Sequence, residues 1–231
     1  MNAEKPTGES PTVPWLDVVQ FIRQLGHDIR NNLNAVELQS AYLAELAQET
    51  ELKGEVKRLR EMVSVIGTSL QKLTAALAQT SPTVIPYRAA DLVDDTKQKL
   101  AKDFPNESTK VNWDVKLREE KLQVDPLMAQ QALLELFANA FHHERNLKGI
   151  TAKAFIDQGH FIFQLQEPKA KFDLSTSNWG REPLRHVGQG HYGLGLNRVR
   201  IIIEAHGGKF SADYDRPSST LVTKISLPIA S

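Results

Sequence analysis

The sequence predicts an α+β chain: a helical hairpin that pairs with a second copy into a four-helix bundle, followed by an α/β sandwich. Three observations predict it. Apolar residues recur at spacings of three and four from Trp15 to Leu77, the period of an amphipathic helix. From Val84 onward short alternating runs replace that period, and these read as strands interleaved with helices. Between the two textures stands Thr80 to Pro86 (TSPTVIP), whose two prolines interrupt any helix. The expected organisation is a tail over residues 1–13, the hairpin over 14–80, a linker over 81–86 and the sandwich over 87–231.

Pro14 sits where a first helical turn tolerates proline. Behind it Trp15, Val18, Ile22, Leu25, Ile29, Leu33, Val36 and Leu43 form the stripe of one long helix. A polar break is expected at Gln48 to Gly54. Val56, Leu59, Val63, Ile66, Leu70, Leu73 and Leu77 then step by threes and fours, a second helix with a heptad. Two such helices fold back on each other and leave an apolar seam with nothing on it, so a homodimer is expected.

In the second part Val84 to Tyr87 reads as a strand, Ala89 to Asp103 as a helix, and Lys110 to Lys116 and Leu122 to Val124 as strands. Asp125 and Pro126 open a helix to about His143, through a carboxylate cap and a proline in the first turn. Ile150 to Ile156 and Phe161 to Gln166 form a hairpin about Gln158-Gly159, and a long loop rich in Gly, Pro, Ser and Lys follows. A loop that long is functional or disordered more often than incidental. Leu194 to Ala205 returns to helical spacing, His206-Gly207-Gly208 closes it, and Lys209 to Tyr214 pairs with Thr220 to Leu227. Helices are expected over one face of a single mixed sheet.

Composition narrows the chemistry. The 231 residues carry 28 basic and 28 acidic side chains, 41% hydrophobic residues and no cysteine. That excludes a disulfide scaffold, a zinc–thiolate site and an iron–sulfur centre, and balanced charge removes the electrostatic basis for unspecific nucleic-acid binding. No run of apolar residues is long enough to span a membrane, and Met1 to Val13 is polar with two prolines, unlike a secretory signal. The expected location is cytoplasmic.

Two constellations carry chemistry. In HDIRNNL, at His27 to Leu33, a helical turn of 100° per residue puts His27 about 160° from Leu25 and Ile29, facing solvent. Asn31 follows one turn later. Asp28 beside the imidazole can hold one ring proton and leave the other nitrogen nucleophilic. In the second part Gly190, Gly193 and Gly195 stand before a helix, where backbone amides and the dipole favour phosphate. Asn139 offers a neutral oxygen to a hard cation such as Mg2+, and Glu135, one turn earlier on the same face, offers a second ligand or a base.

These motifs, in this order, resemble the bacterial two-component sensor histidine kinases. HDIRNNL looks like their H box, DPLMAQQALLELFANAFHH (Asp125 to His143) is similar to their N box, and GHYGLGLNRVRIIIEAHGGKF (Gly190 to Phe210) looks like their G2 box. The likeness runs from about Pro14 to Pro228. It implies that the sandwich is of the histidine-kinase ATPase type, that His27 accepts a phosphoryl group, and that ATP and Mg2+ are cofactors. By the same resemblance Asn139 and Glu135 would take the metal. Gly190, Gly193, Gly195 and Leu196 would line the nucleotide, and Glu167 would stand in for the carboxylate that accepts from adenine. The implied partners are a homodimer twin, a response-regulator receiver domain and a separate sensory protein, with neither nucleic acid nor membrane.

The chain departs from the family pattern at three places. Gln166-Glu167-Pro168-Lys169 replaces an Asp-x-Gly, His142 replaces a lysine, and Asn32 replaces a proline after the histidine. The first two fall on the nucleotide side and support an alternative: an ATP-independent histidine phosphotransferase, or a response-regulator phosphatase in which Asp28 and Asn31 orient water. A third reading is an ATPase-like hydrolase with Glu135 as base.

Overall fold

A computed structural model describes residues 14–47, 49–77, 81–143, 149–173, 175–181 and 193–230. The expected tail at 1–13, Gly190 and most of the loop before it lie outside the described residues. The chain forms two compact units, Met1–Ala78 and Gln79–Ser231.

In the first unit α1 (Trp15–Leu46) and α2 (Thr50–Ala76) pack antiparallel, with Arg23 of α1 donating to the Leu77 carbonyl at 3.1 Å just beyond the end of α2. That guanidinium satisfies a carbonyl at the negative end of the helix. The connection is shorter than the expected Gln48 to Gly54 break. Thr50 already starts α2, Glu51 favours its first turn, and Gly54 lies within it with open space around its Cα.

The heptad divides differently from the single seam expected. Val56, Val63, Leu70 and Leu77 are buried, and among the described residues the buried positions on α1 are small, Gly26 and Ser40, with Ala47 just past its end. Leu59 and Ile66 are left 37% and 50% exposed, as are Leu25, Val36 and Leu43 of α1 at 41–43%. One antiparallel neighbour covers one stripe, so the heptad's alternate positions form a second stripe facing outward. Gly26 sets the approach of the helices, since a Cβ there would lie 2.6 Å from Thr74 Cγ2.

The second unit runs β1 (Ile85–Arg88), α3 (Ala89–Asp103), α4 (Pro105–Ser108), β2 (Asn112–Lys116), β3 (Lys121–Val124), α5 (Pro126–His143), β4 (Thr151–Asp157), β5 (His160–Pro168), α6 (Gly195–Ala205), β6 (Lys209–Asp215) and β7 (Thr220–Pro228). There are two sheets among the described residues where one was expected. β2-β4-β5-β7-β6 is a mixed sheet, parallel only between β2 and β4, and β1-β3 is a separate antiparallel pair with Ile85 opposite Val124. The expected linker therefore ends inside β1. Between β4 and β5, Gln158 and Gly159 both take positive φ, 46° and 74°, the two-residue turn that matches strand twist.

The core lies between the large sheet and α3, α5 and α6, around Phe137, Phe161, Phe163, Leu165, Ile202 and Ile203. Phe137 of α5 meets Phe163 of β5 edge-on at 6.0 Å and Trp113 of β2 at 5.4 Å. Strand alternation that turns Phe161, Phe163 and Leu165 into this core also turns Glu167 inward.

Asp125 and His206 join three elements. Oδ1 of Asp125 accepts from the Leu127 and Met128 amides at 3.1 Å, capping α5, and Oδ2 accepts from the Thr83 amide at 3.0 Å. Its own amide donates to His206 Nε2 at 2.9 Å, while His206 Nδ1 lies 2.7 Å from the Ile202 carbonyl. One nitrogen must accept and the other donate, so the ring proton is on Nδ1. His206 was expected only to close α6; it also fixes α6 to the start of α5.

Candidate functional site

On α1 the three expected residues come together. The His27 and Asp28 side chains are 64% and 58% exposed, and His27 Nδ1 lies 3.2 Å from Asp28 Oδ1 and 3.3 Å from Asn31 Nδ2. The two contacts ask opposite things of Nδ1, because a carboxylate only accepts and an amide NH2 only donates. The charged acceptor is the stronger partner, which places the proton on Nδ1 and the lone pair on Nε2. Among the described residues no hydrogen bond reaches Nε2. Gln24 Nε2 donates to the same Asp28 Oδ1 at 2.9 Å and steadies the carboxylate. Sequence reasoning missed Gln24, although its spacing of four from Asp28 was the signal.

In the second unit α5 carries Glu135 and Asn139, both half-buried and one turn apart. α6 begins at Gly195, directly after Gly193 with φ 63° and Leu194. The structure brings Glu135 to that helix start: a Cβ on Gly195 would lie 3.0 Å from Glu135 Oε2. Glycine lets the carboxylate lie over the positive end of α6. Leu196 is partly buried and packs against the core. Arg198, one turn into α6 and 6% exposed, went unnoticed in the sequence. Burial pushes its guanidinium below the ordinary arginine range, and the Glu135 carboxylate pushes it back up. Glu135 is thus tied electrostatically to a cation of the protein itself.

At the end of β5, Glu167 is 2% exposed and its Oε2 lies 3.4 Å from Nζ of Lys169, itself 13% exposed. Spacing of two on a strand puts both side chains on one face, a signal that the sequence already contained. The Lys169 backbone is held on both sides: its amide donates to the Ser219 carbonyl at 2.8 Å, and its carbonyl accepts from the Tyr214 hydroxyl at 2.8 Å. Phe172 packs on Tyr214 at 5.5 Å and on Trp179 at 5.7 Å, closing this end of the sheet with aromatic rings. Lys169, which stands where the family pattern has glycine, is drawn onto the glutamate. His142, at the end of α5, is exposed.

No family model matches the chain. Among curated proteins it is 24% identical over 202 residues to the sensor histidine kinase ZraS of Klebsiella oxytoca, covering 82% of this chain and 41% of that one. It is 25% identical over 227 residues to the sensor histidine kinase HprS of Escherichia coli, covering 90% and 47%. The chain is a relative of the two-component sensor histidine kinases. It spans less than half the length of these sensor histidine kinases. Among solved structures, full-length ShkA in complex with AMPPNP superposes with a TM-score of 0.70 at 19% identity, covering 92% of this chain and 46% of that one. The fold is that of a histidine kinase: a helical part followed by an α/β sheet domain. Among the described residues no helix is long and apolar enough to cross a membrane.

The groups this kinship implies fit the second unit unevenly. Gly193 and Gly195 place no side chains at the start of α6, although the Glu135 carboxylate lies against Gly195, and Asn139 offers a neutral oxygen on the neighbouring helix, residue types suited to phosphates and a hard cation. The base side is more constrained, because the carboxylate that would accept from adenine is buried and one of its oxygens is ion-paired with Lys169.

Proposed function

We propose that the chain is the phosphotransfer and nucleotide-binding part of a two-component histidine kinase, acting in a homodimer and passing phosphoryl groups from His27 to a response-regulator receiver domain. A separate sensory protein would supply the stimulus. The observation that carries the reading is the His27 group: an exposed imidazole whose Nδ1 is held by Asp28, with Nε2 open to solvent. Asp28 holds the proton of the neutral ring on Nδ1, so Nε2 is the nitrogen that carries the lone pair, and Asn31 borders the ring one turn along. ATP, when bound, supplies the γ-phosphoryl group. Asn139 would take its Mg2+, and Gly193 and Gly195 would give its phosphates room. The exposed stripe of Leu25, Val36, Leu43, Leu59 and Ile66 is the face on which the twin hairpin would lie.

Incubation of the purified protein with γ-labelled Mg–ATP tests the proposal. An acid-labile adduct is expected on the wild type and none on His27→Ala. Asp28→Asn, which leaves the ring without its charged partner, is expected to slow labelling on the order of 100-fold. Label that survives His27→Ala overturns the assignment. The Glu167–Lys169 pair favours a second reading, transfer through His27 without ATP. There the adduct forms only from a phosphorylated receiver domain. Phosphate release that persists in His27→Ala would instead mark a hydrolase using Glu135.

A further inference from the structure

We infer, resting on the phosphoryl-accepting role proposed above for His27, that Gln24 is a positioning residue: by holding the Asp28 carboxylate to the ring, it decides which nitrogen of His27 keeps the lone pair. Among the described residues Gln24 makes no bond to the ring itself; it acts through Asp28.

His27 Nδ1 faces two partners of opposite demand, the Asp28 carboxylate at 3.2 Å and the Asn31 amide at 3.3 Å. With the carboxylate in place the proton sits on Nδ1 and the lone pair on Nε2; with an Asn31 N–H aimed at Nδ1 the two exchange. Distances this similar do not choose between them. The choice falls to whatever fixes the carboxylate, since an exposed aspartate side chain otherwise samples several rotamers. Gln24 lies four residues before Asp28, one turn toward the start of α1 on the same face. Its Nε2 donates at 2.9 Å to Oδ1, the same oxygen that meets the ring. Beside a carboxylate an amide can only donate, so chemistry sets the orientation of the Gln24 amide. Among the described residues no other group bonds to the Asp28 side chain. The two flanking arginines are turned toward the other helix of the hairpin, Arg23 onto the Leu77 carbonyl at 3.1 Å and Arg30 onto the Thr74 hydroxyl at 3.5 Å. Asn31 has no comparable support, because among the described residues its side-chain amide meets the ring alone.

Nitrogen-15 spectra of the whole chain labelled at histidine test the inference without any nucleotide, at about pH 9 where imidazoles are neutral, with His27→Gln to assign the signal. The wild type is expected mainly as the Nδ1–H tautomer. Gln24→Met keeps the stem and the helix propensity but removes the donor, and should raise the ratio of Nε2–H to Nδ1–H about twofold. Gln24→Glu also sets like charges one turn apart and should raise it about fourfold. In an Asp28→Asn background Gln24→Met should change nothing, which separates an effect through the carboxylate from an effect on the helix. Labelling of His27 by Mg–ATP should slow in the same order at unchanged KM. A wild type that is mainly Nε2–H overturns the inference, as does one ratio shared by the wild type, Gln24→Met and Gln24→Glu. Position 24 is exposed, and melting curves report that the hairpin of each variant is intact. Failure of the parent reading is seen separately, as absence of His27 labelling from Mg–ATP and from a phosphorylated receiver domain while the tautomer ratio still follows the residue at position 24.

Discussion

The hairpin and the sheet unit treat apolar surface in opposite ways. Large hydrophobics from Leu16 to Ile66 stand exposed along α1 and α2, including Phe21 at 66% and Val65 at 67%, whereas in the sheet unit such exposure is confined, among the described residues, to Val84, Ile85, Leu127 and Ile201. The sheet unit closes its own core around Phe137, Phe161 and Phe163. The hairpin buries one stripe and leaves another. One unit is complete as a single copy, and the other has the surface of half a bundle. Reactive groups follow the same division: His27 is mounted on an exposed helix face, while Glu135, Arg198, Glu167 and Lys169 are half-buried or buried among structural elements.

The largest effect is expected from charging the open stripe. Leu59→Glu with Ile66→Glu puts carboxylates where the twin hairpin would lie, at a cost on the order of 5 kcal/mol or more per dimer. Sedimentation should show a monomer, with the melting of the sheet unit unchanged. A wild type that is already monomeric at high concentration would break the comparison. Next in size is the core of the other unit. Phe163→Ala removes a ring wedged between Phe137 and Trp113 and should cost about 3–5 kcal/mol of the sheet unit's stability. Calorimetry should then resolve two transitions, with the hairpin transition unmoved.

The sequence showed the sheet unit more completely than the hairpin's packing, for a physical reason. Ala89–Asp103 was read to the residue and the helix from Pro126 to about His143, because a strand neighbour before the first and a capping aspartate with a proline at the start of the second mark where they begin. The Gln158-Gly159 turn was legible from glycine alone. Within the hairpin the periodicity gave both helices but not which half of the heptad faces which neighbour. That is decided by the small residues Gly26, Ser40 and Ala47, which carry no hydrophobic signal. At the candidate site His27, Asp28 and Asn31 could be placed together because one helix holds all three. The ties of Glu135 to Arg198 and of Asp125 to His206 span 63 and 81 residues of chain, and no local pattern announces them.

Gly26 sharpens the comparison at intermediate size. Its added Cβ would meet Thr74 Cγ2 at 2.6 Å, so Gly26→Ala should destabilise the hairpin by about 1–2 kcal/mol, overpacking outweighing better helix propensity. In a Thr74→Ser background the obstructing methyl is gone, and the same substitution should stabilise by up to about 1 kcal/mol. Thermal melts of the four variants give the sign directly. Equal effects in both backgrounds would mean that the helices do not meet at this glycine.

The smallest effect belongs to the sheet unit and depends on pH. Burial pushes the Asp125 carboxyl upward, but the amides of Met128, Thr83 and Leu127, together with His206, more than reverse it and hold it below the ordinary carboxylate value of 3.8. A carboxyl depressed in the folded state adds stability above its unfolded pKa and loses it as the pH falls from there through the folded value. Asp125→Ala should therefore lower the sheet unit's stability by about 1 kcal/mol at neutral pH, and the gap between variant and wild type should close in acid. Asp125→Asn keeps an oxygen for the α5 amides and should recover most of the neutral-pH loss while abolishing the titration. A gap that stays constant through acid would place the contribution of Asp125 in packing rather than in its charge, and the hairpin transition should not move in either variant.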